Sequence, residues 1–136
     1  MENNLNILIV DDLELVHEPI EKFLKDFVFI NQNCIVTSAY NLTQAKRLLL
    51  DKKFDLVMLD GDAGDGWGYE IIADILNHNS TVKIVSSSND DDFNSKNVEM
   101  GSHASVNKIW LYPWLDEKNE YKIEKGKLIR DLFAME

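Results

Sequence analysis

Five short runs rich in apolar residues, separated by segments with helical spacing, constrain the fold of this chain more than any other feature. The runs cover residues 5–10, 34–38, 54–60, 82–86 and 104–108. Runs of this kind are typical of strands that are buried on both faces, as in parallel sheets. Strands that alternate with helices predict an α/β fold, here a five-stranded parallel sheet that is doubly wound, with helices on both faces.

The intervening segments predict five helices, at about 14–27, 42–51, 69–77, 91–100 and 117–135. Asn41 is placed to cap the second helix, and Gly101 to end the fourth in a left-handed conformation. Gly126 is expected to weaken the last helix. With 136 residues and no internal linker, the chain is predicted to form one domain over residues 1–136.

Composition excludes several classes of protein. The net charge of −10 argues against direct binding of nucleic acid, which needs clustered basic residues. No apolar run is long enough to cross a membrane, and the start of the chain lacks the features of a signal peptide, so no membrane insertion and a cytoplasmic location are expected. Cys34 and the three histidines do not have the spacing of zinc ligands.

Polar residues with related chemistry stand where the predicted strands end. They are Asp11 and Asp12 after the first strand, Asp60 and Asp62 after the third, Ser86 after the fourth and Lys108 at the end of the fifth. In such a sheet, a ligand binds outside the carboxyl ends of the strands, at the switch in strand order.

Carboxylates gathered at one edge of a sheet favour a cation, because two unit charges ~4 Å apart repel by about 4 kcal/mol at an effective dielectric near 20. A ligand set made only of oxygens suits Mg²⁺ or Mn²⁺. A strand-end carboxylate can then act as a nucleophile toward a phosphoryl donor. An ammonium group and a small hydroxyl are suited to hold the remaining phosphoryl oxygens.

The segments ILIVDD (7–12), FDLVMLDGD (54–62), VKIVSSS (82–88) and ASVNK (104–108) resemble the receiver domain of two-component response regulators, the CheY-like family. The resemblance covers roughly residues 5–108, and the motifs are specific in combination. It implies the flavodoxin-like or CheY-like fold. It also implies a phosphorylation-dependent switch in a phosphorelay. Such a switch is a phosphoacceptor that catalyses its own phosphorylation and dephosphorylation, and it is not expected to be an enzyme.

The resemblance also implies a role for each strand-end residue. Asp60 would accept the phosphoryl group from a histidine kinase or a histidine phosphotransfer protein. The Mg²⁺ (or Mn²⁺) ligands would be Asp11, Asp12, Asp60 and the main-chain carbonyl of Asp62, while Ser86 would be the switch hydroxyl and Lys108 would pair with the phosphoryl group. Output would pass to a downstream protein effector or to an output domain that this chain does not contain.

Three positions depart from the family pattern. Gly64 stands where a proline is usual, and Ile109 replaces the proline that normally follows the lysine in a cis bond. The loop after Lys108 is therefore expected to take another shape. Ser105 replaces the aromatic switch residue, so output through a ring that swings inward is not expected.

Other interpretations stay open for some of these residues. Asp11 and Asp12 could cap the first helix. Asp62 and Asp65 could be turn residues, and Asp65 is interpreted as one. Residues 90–92 are interpreted as a helix cap and not as a second metal site. Ser87 and Ser88 compete with Ser86, although alternation along the strand and the interval to Lys108 favour Ser86.

The aromatic segment 109–115 either folds back onto the domain or forms a docking patch. Two other functions remain as alternatives to the switch. One is a receiver-like interaction module that does not switch. The other is a magnesium-dependent phosphatase or another α/β hydrolase, which would need a second carboxylate near Asp60 as its acid–base group.

Overall fold

The computed structural model of the chain describes residues 4–112 and 118–134. Its sheet has five parallel strands in the order β2-β1-β3-β4-β5. The strands are β1 (Leu5–Val10), β2 (Cys34–Ala39), β3 (Leu56–Leu59), β4 (Lys83–Ser88) and β5 (Ala104–Asn107). The predicted doubly wound α/β sheet is confirmed, with strand ends shifted by one or two residues at most positions.

In the described ranges, five α-helices connect and follow the strands. They are α1 (His17–Phe23), α2 (Leu42–Asp51), α3 (Ile72–His78), α4 (Asp91–Glu99) and α5 (Asn119–Ala134). The predicted limits of the last helix, 117 and 135, lie outside the described residues. None of the helices in the described ranges is long and apolar enough to cross a membrane.

The first predicted helix, at 14–27, is not a uniform α-helix. A 3-10 turn at Glu14–Val16 leads into α1, and a wider π-helical turn at Leu24–Val28 follows it. The π turn is closed by the amide of Phe29, which donates to the Leu24 carbonyl over 2.8 Å. The wider turn places Leu24, Val28 and Phe29 together in the core, a tertiary preference that helical spacing alone does not encode.

Apolar clusters cover both faces of the sheet. Along β1, Ile7 and Ile9 belong to the cluster formed with α1 and α5, whereas Leu8 and Val10 belong to the cluster formed with α2 and α3. All four side chains are buried. Strands buried on both faces explain why the sequence shows continuous apolar runs and not alternation.

The predicted helix ends are confirmed where the sequence supplied a cap. The Asn41 side chain accepts a hydrogen bond of 2.8 Å from the amide of Gln44 at the start of α2. The Asp90 side chain accepts from the amides of Asp92 and Phe93 at the start of α4, so the acidic run at 90–92 caps this helix through Asp90. Gly101 follows α4 with φ of 127°, a backbone conformation that favours glycine.

Gly126 allows α5 to approach the turn that follows α1. A Cβ atom at this position would lie 2.0 Å from the main-chain oxygen of Phe27. We therefore expect Gly126→Ala to lower the free energy of unfolding by about 1–3 kcal/mol, the usual cost of overpacking, although alanine is the better helix former. Urea denaturation measures the change, with the exposed α5 substitution Glu124→Ala as control. Equal stability of the two variants would contradict this explanation of the glycine.

Candidate functional site

The carboxyl ends of β1 and β3 bring three carboxylates together. The two strands pair in parallel with Val10 opposite Leu59, and the amide of Asp60 donates to the Val10 carbonyl over 3.0 Å. Asp11 and Asp60 thus leave neighbouring strands at the same edge, where Asp12 follows. Carboxylate oxygens of Asp11, Asp12 and Asp60 lie within 4.8 Å of one another. The gathering of these residues, predicted from strand ends, is confirmed.

Lys108 reaches this cluster from the end of β5. Its Nζ lies 2.8 Å from Asp11 Oδ2 and 3.2 Å from Asp60 Oδ2. The three side chains are almost completely buried, with exposed fractions of 6% for Lys108, 1% for Asp11 and 6% for Asp60. One buried ammonium therefore serves two buried carboxylates, which leaves an excess of negative charge at the site.

This charge imbalance is reflected in the pKa of Asp60. Burial and, next, repulsion by Asp11 raise the pKa of Asp60 to about 7, even though Lys108 and the amide of Gly61 favour its charged form. Burial also lowers the pKa of Lys108, but attraction by Asp60 and Asp11 outweighs it, so the lysine pKa is raised. A second cation near Asp60 would relieve the repulsion between the two carboxylates.

The donor atoms fit a hard divalent cation. Asp12 is exposed at the edge of the cluster. Asp62 and Trp67 form an antiparallel bridge, and the main-chain hydrogen bonds on either side of this bridge do not involve the Asp62 carbonyl oxygen. Carboxylate and carbonyl oxygens are the ligands that such cations prefer. The Asp62 side chain itself accepts from the amide of Gly64 over 3.0 Å.

A cavity of about 270 Å³ opens above these groups. Its lining includes Asp12, Asp60, Asp62, Ser88, Phe93 and Lys108. A larger hollow of about 460 Å³ lies between α2 and α3, but its polar side chains are exposed surface residues. We place the functional site at the smaller cavity, because buried charged groups converge there and not at the larger hollow.

The glycine-rich loop after Asp60 is held on both sides. A Cβ atom at Gly68 would lie 2.0 Å from the main-chain oxygen of Asp60, so the loop folds back directly over the acceptor strand. The carboxylate of Asp65 accepts from the amides of Leu42 and Thr43 at 2.7 and 3.1 Å. The bond from the Leu42 amide is the main reason that the pKa of Asp65 is lowered. Asp65, interpreted as a turn residue, thus also caps α2.

The three consecutive serines of β4 have different surroundings. Ser86 is buried; its Oγ donates to Asn94 Oδ1 over 2.6 Å and accepts from Asn97 Nδ2 over 2.9 Å. Ser87 is buried with no hydrogen-bond partner for its Oγ in the described part of the chain, and Ser88 lines the cavity. The structure therefore brings Lys108 to the carboxylates, but it holds the Ser86 hydroxyl against α4.

His17 is a site neighbour that sequence reasoning missed. Its Nε2 lies 2.8 Å from the Asp11 carbonyl and its Nδ1 lies 2.8 Å from Ser38 Oγ. Because a carbonyl only accepts, Nε2 carries a proton and donates to Asp11. The ring is buried and ties the end of β1 to β2. The six-residue interval between Asp11 and His17 offers no motif that would have shown this contact.

The segment after Lys108 differs from the usual family pattern, as expected. The Lys108–Ile109 peptide is trans, and a 3-10 turn covers Lys108–Leu111. Trp110 packs edge-to-face on Tyr121 of α5, with ring centroids 4.9 Å apart, and Lys118 Nζ lies 3.9 Å from its ring centroid. These contacts support the interpretation that Trp110 folds back onto the domain, whereas Trp114 lies outside the described residues.

Comparisons with known proteins agree with this fold. A family model described as the response regulator receiver domain matches residues 7–113. No curated protein matches the chain.

Solved structures share the fold at low identity. A response regulator from Thermotoga maritima is 23% identical, with 95% of this chain and 99% of that chain covered and a TM-score of 0.69. The signal receiver domain of an HD domain-containing protein from Pseudomonas fluorescens Pf-5 is 19% identical, with coverage of 96% and 95% and a TM-score of 0.69. A response regulator protein from Burkholderia pseudomallei, solved with a phosphorylated aspartic acid, calcium ion and citrate, is 18% identical, with coverage of 89% and 72% and a TM-score of 0.61.

At these identities the solved structures support the fold, while the family match extends over most of the chain. It includes both strand-end carboxylate positions and the lysine at the end of β5. This chain therefore belongs to the response regulator receiver domain family.

Proposed function

We propose that this chain is a phosphorylation-dependent switch whose Asp60 takes a phosphoryl group from the phosphohistidine of a histidine kinase or histidine phosphotransfer protein. One observation carries the proposal. Asp60 is a carboxylate that lines an open cavity, and it shares the buried Lys108 with Asp11. The solved response regulator protein with a phosphorylated aspartic acid supports this chemistry by analogy.

In the proposed transfer, a carboxylate oxygen of Asp60 attacks phosphorus, and the bond from phosphorus to the histidine nitrogen of the donor breaks. An acyl phosphate forms, and the electron pair of the broken bond stays on the histidine nitrogen. The histidine leaves as neutral imidazole, with its proton either already on the other ring nitrogen or taken up from water. Lys108 is within reach of the acceptor oxygen and supplies a fixed positive charge beside the incoming phosphoryl group. Hydrolysis of the acyl phosphate by water would return Asp60 to its carboxylate form.

The metal proposed for the site is Mg²⁺, with Mn²⁺ as a substitute. Its ligands would be Asp11, Asp12, Asp60 and the main-chain carbonyl of Asp62. When bound, such an ion neutralises the carboxylates and the charge that develops on the phosphoryl oxygens. The excess of buried negative charge around Lys108 supports this assignment.

Ser86 is the hydroxyl that we propose to reach the phosphoryl group, because it lies in the second half of β4 at the family-like interval from Lys108. The switch would act on a downstream protein effector or on an output domain outside this chain, in the cytoplasm. The hydrogen bonds that now hold Ser86 to α4 favour a second candidate, an interaction module that binds partners without switching.

Intact-mass measurement after incubation with acetyl phosphate and Mg²⁺ tests the proposal. We expect one added phosphoryl group on the wild-type chain, lost when the metal is chelated and absent from Asp60→Asn. Asp62→Asn is a matched control, because it makes the same chemical change but keeps the main-chain carbonyl. An adduct on Asp60→Asn would refute the acceptor assignment. No adduct on the wild-type chain, even with cold and rapid sampling, would favour the interaction module.

A further inference from the structure

Helix α4 is attached to the sheet differently from the other helices in the described part of the chain. Its buried residues are Asn94 and Asn97, whereas α1, α2, α3 and α5 each bury apolar side chains. Neither apolar cluster contains a residue of α4. Its position therefore depends to an unusual degree on hydrogen bonds, which are directional and can be exchanged.

The two asparagines join α4 to the ends of β4 and β5. Asn94 Oδ1 accepts from Ser86 Oγ over 2.6 Å and from the amide of Ser88 over 3.1 Å. Its Nδ2 lies 3.0 Å from the carbonyls of both Ser88 and Val106. Asn97 contributes one bond, from Nδ2 to Ser86 Oγ, while its Oδ1 is buried without a hydrogen-bond partner among the described residues.

The same helix also touches the loop that follows Asp60. A Cβ atom at Gly61 would lie 2.3 Å from Phe93 Cβ, so α4 packs directly against the residue whose amide binds Asp60 Oδ1. Phe93 stacks on Trp67 with ring centroids 5.2 Å apart. A movement of the loop that follows Asp60 and a movement of Ser86 would therefore both affect the position of α4.

We infer that Asn94 and Asn97 are positioning residues that hold the Ser86 hydroxyl away from Asp60. When this hydroxyl leaves them, α4 changes its position. The inference rests on the proposed function, and it deepens that function by naming the two residues that hold the Ser86 hydroxyl before the transfer. A serine hydroxyl has one proton to donate. When Ser86 turns toward a phosphoryl oxygen and donates its proton there, Asn94 loses that donor. Because the Ser86 oxygen moves away with its proton, Asn97 also loses the acceptor of its one observed bond.

After this loss, the two asparagines keep different numbers of hydrogen bonds. Asn94 keeps three bonds to main-chain groups, whereas Asn97 would be left with a buried amide that has no remaining bond of those observed. Leaving a buried polar group unpaired is unfavourable. A movement of α4 that brings Asn97 into contact with water or another partner would therefore lower the free energy. This route needs no aromatic residue at position 105, where this chain has serine.

Beryllofluoride, a stable analogue of the phosphoryl group, tests the inference at equilibrium in the presence of Mg²⁺. Asn97→Leu keeps the branching of the side chain and removes the bond to Ser86. We expect this variant to bind beryllofluoride about fivefold more tightly than wild type, the effect of one neutral hydrogen bond no longer lost on binding. On a Ser86→Ala background, Asn97→Leu should leave the affinity unchanged.

Ser102→Ala is the matched control. It also removes a buried polar group that lacks a hydrogen-bond partner in the described ranges, but it does not touch Ser86. Its affinity for beryllofluoride should equal that of the wild type. Hydrogen exchange of the α4 amides should become faster when the wild type binds beryllofluoride, and this change should be absent in Ser86→Ala.

The outcomes separate the two proposals. If wild type neither binds beryllofluoride nor forms the acetyl phosphate adduct, the proposed function fails and the inference fails with it. If wild type does both, but Asn97→Leu binds like wild type or tightens binding equally on the Ser86→Ala background, the inference alone is refuted. Unchanged exchange of α4 in the bound wild type would also refute it.

Discussion

Lys108→Met is expected to lower the free energy of unfolding by about 3–5 kcal/mol near pH 8 without divalent cations, the usual result of breaking a buried ion pair. Lys108 Nζ lies 2.8 Å from Asp11 and 3.2 Å from Asp60, and all three side chains are buried. Methionine keeps most of the volume of the lysine stem, so the loss would come from two carboxylates that face each other without a cation. Urea denaturation in the presence of a chelator measures it.

Two further variants identify the cause of that loss. Lys108→Met combined with Asp60→Asn should recover most of the stability, because one buried carboxylate is then neutral. Lys127→Met breaks an exposed pair with Asp131 at 2.9 Å and should cost little, since water screens such pairs. If Lys108→Met were as stable as Lys127→Met, the buried lysine would not be what holds the carboxylates together.

Much of the site could be predicted because strand ends obey a topological rule. Short apolar runs that stop at an acidic residue predicted where β1 and β3 end. Parallel pairing then required Asp11 and Asp60 to meet at one edge, and the structure confirms that they do. Lys108 was predicted in the same way and contacts both carboxylates. These positions depend on backbone direction, which the pattern of apolar residues encodes directly.

The surroundings of Ser86 could not be predicted, because they depend on contacts made by side chains of another element. Asn94 and Asn97 look like ordinary polar residues of a solvated helix, yet both are buried against Ser86. Asp65 was assigned to a turn on composition alone, but it caps a helix that starts 23 residues earlier. No local pattern distinguishes a polar residue that faces water from one that meets a buried partner.

Gly126 shows the same limit for the backbone. Helix propensity correctly marks glycine as a poor helix residue. It does not reveal that a main-chain oxygen of Phe27, a residue 99 positions earlier, occupies the place of a side chain. Gly126 is therefore expected to weaken α5 as a helix, but it also allows α5 to pack closely against the turn that follows α1.

Asp60→Asn is expected to raise the free energy of unfolding of the metal-free protein by on the order of 3 kcal/mol near pH 8. Burial and Asp11 raise the pKa of Asp60 from its ordinary value of 3.8 to about 7 in the folded protein. The folded state therefore binds this proton more tightly than the unfolded state does. Between these two pH values the unfolding free energy of the wild type falls as pH rises, whereas asparagine stays neutral throughout.

The pH profile separates this cause from a general effect of removing charge. Asp60→Asn should match the wild type below about pH 3, where both states carry the proton, and should gain its full advantage above about pH 7. Asp74→Asn, an exposed change on α3 that removes the same charge, should run parallel to the wild type at every pH. Added Mg²⁺ should stabilise the wild type more than Asp60→Asn, because one of the proposed ligands is then missing. If Asp60→Asn were less stable than the wild type near pH 8, repulsion between the buried carboxylates would not be the dominant interaction at this site, and the case for a cation there would weaken with it.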